Sequence, residues 1–107
     1  LGDVYKRQEP EIKTMVNNVN KLKTTFVDNG IPVIVGEYGN CKGNDEVDRV
    51  FFDEYFTKLT HDVGIPAFLW DDGGVFDRTD LTWQEEGLLD ALHRAVSGEE
   101  YIVERIS

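Results

Sequence analysis

Basic residues are scarce in this chain of 107 residues: 11 Lys and Arg stand against 21 Asp and Glu, for a formal net charge of −10. A surface so short of positive charge excludes partners that are bound through phosphate, so no nucleic acid and no anionic membrane surface is expected. Long apolar runs are missing as well, and nothing approaches the ~20 residues needed to cross a bilayer. No membrane partner is therefore expected. The first residues lack the basic-then-apolar layout of a signal peptide. The single cysteine, Cys41, has no partner for an internal disulfide and no CxxC or Cys/His neighbour, so it implies neither a redox site nor a metal site. His61 and His93 have no matching ligand pair. The acids of the 71–80 stretch (Asp71, Asp72, Asp77, Asp80) fail the D-x-[DN]-x-[DN]-G calcium spacing, and no metal or cofactor is expected. What remains is an ordinary globular composition, 40% hydrophobic and 30% charged, compatible with a neutral partner such as a carbohydrate.

Leu1 to Gln8 shows no apolar periodicity, and Asp3 to Gln8 reads like the translation of a transposase adapter used in sequencing-library preparation. Residues 1–8 are accordingly set aside as a sequencing artefact, and 9–107 are read as the protein. After Pro10 the spacing Ile12, Met15, Val16, Val19, Leu22, Phe26, Val27 predicts a helix with one buried face, ended by Asn29-Gly30. Ile31 to Val35 is a continuous β-branched apolar run, expected as a strand buried on both faces, with Pro32 near its start. Asn44 or Asp45 is placed to cap a second helix carrying Val47, Val50, Phe51, Phe52, Tyr55, Phe56 and Leu59. Ile65 to Trp70 is a second buried strand. Thr82 and Glu85 have capping-box spacing and predict a third helix through Leu88, Leu89, Leu92, Ala95 and Val96 to Gly98. The tail from Glu99 fits a short helix, a strand or a frayed end equally.

Two strands joined by a helix must be parallel, so the fold class is α/β. Gly30-Ile-Pro and Gly64-Ile-Pro repeat at an offset of 34 residues, close to the ~31 of one unit when ~250 residues build eight. Each strand ends on an acid, Glu37 and Asp71, at the end where sites gather in such folds. Two strands with three helices leave sheet edges unpaired and helix faces uncovered, so the chain reads as a piece of a larger domain. Glu37, between Gly36 and Gly39, projects from the end of a rigid element. Trp70 ends the second strand with a flat apolar face suited to a sugar ring. By themselves these placements also fit a turn-capping carboxylate and a core tryptophan.

The stretch Gly30-Ile-Pro-Val-Ile-Val-Gly-Glu-Tyr-Gly39, then Arg49, then Phe68-Leu-Trp-Asp-Asp-Gly73 with Phe76-Asp-Arg78, resembles the C-terminal end of glycoside hydrolase family 5, the endoglucanase and cellulase family. The resemblance implies a (β/α)8 barrel, of which this chain would hold strands seven and eight and helices six to eight. It implies that Glu37 is the catalytic nucleophile of a retaining glycosidase and Trp70 the substrate-binding platform. The substrate implied is a β-1,4-linked polysaccharide or oligosaccharide, and the location extracellular. In the family pattern G-I-P-V-I-I-G-E-F-G, phenylalanine stands where this chain has Tyr38, Leu69 replaces the first tryptophan of W-W-D-N-G, and Asp72 replaces its asparagine. The family's acid/base glutamate, on an earlier strand, has no counterpart here, so the chain alone is expected to be inactive. The short Gly73–Phe76 linker argues against a long loop after the last strand. The alternative reading is a small non-catalytic α/β module that binds a ligand or metal through the acids at its strand ends.

Overall fold

A computed structural model of the chain describes residues 2–39, 46–71 and 74–104. Cys41, the expected caps Asn44 and Asp45, and Asp72 lie outside them. The elements run α1 (Gly2–Thr25), a 3₁₀ turn (Val27–Asn29), β1 (Val35–Tyr38), α2 (Glu46–Asp62), β2 (Ala67–Leu69), β3 (Phe76–Asp77), β4 (Thr82–Trp83) and α3 (Glu86–Ala95). Helix α1 starts at Gly2 rather than after Pro10. One proline removes a single helical hydrogen bond, and the Lys, Arg, Gln and Glu before it are good helix formers. The chain turns at Gly30, whose φ of 77° is the left-handed conformation that glycine tolerates, with its N–H bonded to the Val27 carbonyl.

Strands β1 and β2 are parallel, as the helical crossover requires. The pairing starts later than the apolar runs do. Pro66 has no N–H to give, and the ladder opens where its carbonyl accepts the Val35 N–H at 2.9 Å. Ile31 to Ile34 therefore precede the strand, and the expectation of a strand buried on both faces is corrected: Ile34 is 66% and Phe68 58% exposed. A sheet of two strands has no neighbours to cover them. Nor does the 34-residue repeat set the register, since Val35 faces Ala67 and Tyr38 faces Leu69.

The core lies mainly between α2 and α3, where Phe51, Leu88, Ala91 and Ala95 are buried, with Ile65 beneath β2 and Val19 on α1. Polar staples reinforce it. Glu54, almost fully buried, accepts hydrogen bonds from Arg94 at 2.9 and 3.2 Å and from the Tyr101 hydroxyl at 2.8 Å, tying α2, α3 and the tail together. The described part of the tail, to residue 104, has no regular structure, and Tyr101 also lies beneath the Lys58 ammonium.

The capping-box expectation fails. Thr82 belongs to β4, and Glu85, just before α3, makes no side-chain cap but takes the Arg49 Nε–H at 2.8 Å. An ion pair to a guanidinium outweighs a helix-end N–H. Residues 76–83, between β2 and α3, do not lead straight into the helix. They form an antiparallel hairpin in which Phe76 and Trp83 meet edge to face at 5.6 Å. Its turn is held by the Asp77 carboxylate, which accepts the N–H groups of Thr79 and Asp80.

Candidate active site

Between Val35 and Tyr38, β1 advances three residues while β2 advances two, from Ala67 to Leu69. One extra residue on one strand is a β-bulge. Simple alternation would send Val35 and Tyr38 to opposite faces, yet both are half-buried, while Gly36 and Glu37 between them are exposed. The bulge thus turns Glu37 to the side away from the helices. Tyr38 fixes which side that is: its ring lies 4.8 Å from Phe56 of α2, and its hydroxyl bonds Thr57.

Trp70 follows β2 directly. Its N–H donates to the Tyr38 carbonyl at 2.7 Å, so its main chain adjoins the residue after Glu37. Along β2 the exposure alternates, with Ala67 and Leu69 half-buried and Phe68 and Trp70 each 58% exposed. Phe68 and Trp70 therefore share one face. Gly39 adjoins this junction: a Cβ there would make ordinary contact, 3.7 Å from the Trp70 carbonyl oxygen. The two residues singled out by sequence, Glu37 and Trp70, are thus brought to the same ends of adjacent parallel strands.

Asp71, the acid that the repeat aligns with Glu37, accepts the Val75 N–H at 3.3 Å. Arg49, part of the stretch that resembles the family, reaches Glu85 across the helix layer. His61 and His93 are exposed. Among the described residues no three His, Cys, Asp or Glu side chains gather as metal ligands.

Sequence reasoning missed Asp53. It is only 6% exposed, its carboxyl makes no hydrogen bond among the described residues, and its pKa is raised to about 7, chiefly by burial and then by Glu85, with Arg49 opposing. A buried acid poised near neutrality is a common mark of an active site. Here it lines a cavity of about 320 Å³ with Glu11, Met15, Tyr38, Gly39, Phe52 and Phe56, on the helix side of β1. That is the face opposite Glu37, which rules Asp53 out as a direct partner of that carboxylate. The signal was in the sequence: Arg49, Asp53, Thr57 and Thr60 recur at helical spacing as a polar stripe beside Phe52 and Phe56.

A parallel βα unit with an acid at the C-terminal end of one strand and an exposed tryptophan at the end of the next is an arrangement common to α/β barrels and open α/β sheets. The family model for cellulase, glycosyl hydrolase family 5, matches residues 4–74. The chain belongs to that family. It is 40% identical over 55 residues to endoglucanase B of Neocallimastix patriciarum, covering 51% of this chain and 12% of that protein. To endoglucanase B of Paenibacillus lautus it is 30% identical over 90 residues, 78% of this chain and 16% of the relative. Among solved structures it resembles a tri-modular subfamily 4 endo-β-1,4-glucanase of Bacillus licheniformis, complexed with cellotetraose. There the TM-score is 0.77 at 28% identity, over 84% of this chain and 18% of that one. The solved relatives are (β/α)8 barrels, and the chain spans less than a third of their length.

Proposed function

We propose that this chain is the part of a retaining β-1,4-glucanase barrel that holds strands seven and eight and helices six to eight. Glu37 is its nucleophile and Trp70 its sugar platform. The observation that carries this reading is the bulge: within a family 5 segment, it turns Glu37 out of the sheet at the strand end that Trp70 shares. Residues 9–107 are the enzyme-derived portion in this reading, and the enzyme acts on its polymer outside the cell.

In retaining hydrolysis, the Glu37 carboxylate attacks the anomeric carbon as the bond to the leaving oxygen breaks. A second carboxylic acid, ~5–5.5 Å away, gives that oxygen its proton. The same group then takes a proton from water, whose oxygen displaces Glu37 and frees the sugar. Among the described residues, neither buried Asp53, on the helix side of β1, nor Asp71, whose carboxylate accepts the Val75 N–H, is placed for the second role. The chain by itself is therefore inactive in this proposal. Trp70 offers its ring to the C–H face of a glucosyl unit, and cellotetraose, the ligand of the Bacillus licheniformis relative, is the natural first probe.

The test uses the full-length enzyme with Glu37→Ala and Glu37→Gln, assayed on β-glucan and mannan. Loss of about a thousandfold or more in kcat in both variants is expected. Near-wild-type rates in both would reduce Glu37 to a structural carboxylate and leave a binding module as the reading to pursue.

A further inference from the structure

Glu37 is exposed, so packing of its own side chain does not hold its carboxylate in place. Its aim is set by the backbone on either side. On the upstream side, Gly36 has nothing within 4 Å of where a Cβ would stand, and the Val35 N–H is held by the Pro66 carbonyl. The downstream side is held at three points of one residue. The Tyr38 carbonyl accepts the Trp70 N–H, its ring lies against Phe56, and its hydroxyl bonds the Thr57 hydroxyl. The direction of that last bond follows from proton count. Thr57 Oγ1 has one proton and donates it to the Asp53 carbonyl at 2.6 Å, so the Tyr38 phenol is the donor to Thr57.

We propose that Tyr38 and Thr57 are positioning residues for Glu37, locking the far side of the bulge that aims its carboxylate. The inference rests on Glu37 being the nucleophile. The hydroxyl bond belongs to this chain's own sequence, since phenylalanine in the family pattern keeps the ring and lacks the phenol. Tyr38→Phe therefore isolates the bond in a residue the fold accepts, and Thr57→Val removes the acceptor while preserving shape. Attack on an anomeric carbon is steeply sensitive to sub-ångström placement, so a looser carboxylate lowers turnover without weakening substrate binding.

In the full-length enzyme, Tyr38→Phe and Thr57→Val are each expected to lower kcat threefold to tenfold with KM within twofold. The double variant should lose no more than either alone, and Thr57→Ser should keep wild-type kcat. In a Glu37→Ala background, where azide supplies the nucleophile, Tyr38→Phe should leave the rescued rate unchanged, because no carboxylate remains to be aimed. Two results overturn the positioning role while sparing the nucleophile: kcat within twofold of wild type in both single variants, or an azide-rescued rate that falls in proportion. Full activity in Glu37→Ala itself overturns both the nucleophile and its positioning.

Discussion

The helix layer and the sheet of this chain are built to different degrees. Between α2 and α3 the interior is closed: Leu88 and Ala91 are wholly inaccessible, and a buried carboxylate, Glu54, is satisfied by Arg94 and Tyr101. Among the described residues, β1 and β2 pair with each other alone and leave Ile34, Phe68 and Trp70 open to solvent. The contrast shows where each property resides. Stability within the segment comes from the helices, whereas the proposed chemistry stands on the sheet, whose bare face calls for the strands of a barrel.

Substitutions in the two regions should therefore separate stability from turnover. The largest effect is expected from Leu88→Ala, which opens a cavity in the closed layer and should cost about 3 kcal/mol, read as a lowered midpoint of urea unfolding of the full-length enzyme. Asp53→Asn comes next and acts through pH. Below pH 3.8, the ordinary value, the folded and unfolded chains both hold the proton; between there and about 7 only the folded chain keeps it. Wild-type stability should thus fall as pH rises through that window, at up to about 1.4 kcal/mol per unit, and level off above it. Glu85, Arg49, Tyr38 and Glu11 are the charged and titratable groups around this carboxyl, with Glu85 raising and Arg49 lowering its pKa. Unfolding midpoints at pH 5, 6, 7 and 8 should show the asparagine variant gaining on wild type from pH 5 to 7 and little further at pH 8. A constant difference would mean that Asp53 is ionised throughout. Smallest in free energy is Trp70→Ala on the sheet. It should weaken kcat/KM for cellotetraose by about tenfold, roughly 1.4 kcal/mol, without moving the unfolding midpoint, since more than half of the side chain is already exposed.

The sequence was most informative where a residue's chemistry and its element coincide. The helical periodicities, the parallel pair, and the placing of Glu37 and Trp70 at strand ends all follow from apolar spacing and from the Gly-Ile-Pro starts. The bulge does not, because it is a mismatch between two strands and can be seen only once both are paired. The β3–β4 hairpin was missed for a related reason. Two strands of two residues carry no alternation, and the apparent capping box Thr82/Glu85 was a stronger local signal than Phe76 and Trp83 as a cross-strand pair. The polar stripe on α2 went unread because its aromatic neighbours dominate any hydrophobic count, although Asp53 and Thr57 are more buried than Phe52 or Phe56.

As the proposed nucleophile, Glu37 forms and releases a covalent bond to the sugar. The anomeric configuration of the product that azide forms with a β-linked aryl cellobioside in the full-length Glu37→Ala enzyme, read by NMR, tests it most directly. The account predicts an α-glycosyl azide, inverted because a small anion has taken the place of the carboxylate in a single displacement. A β-glycosyl azide would mean that a second protein nucleophile intervenes, and Glu37 would not be the residue that attacks.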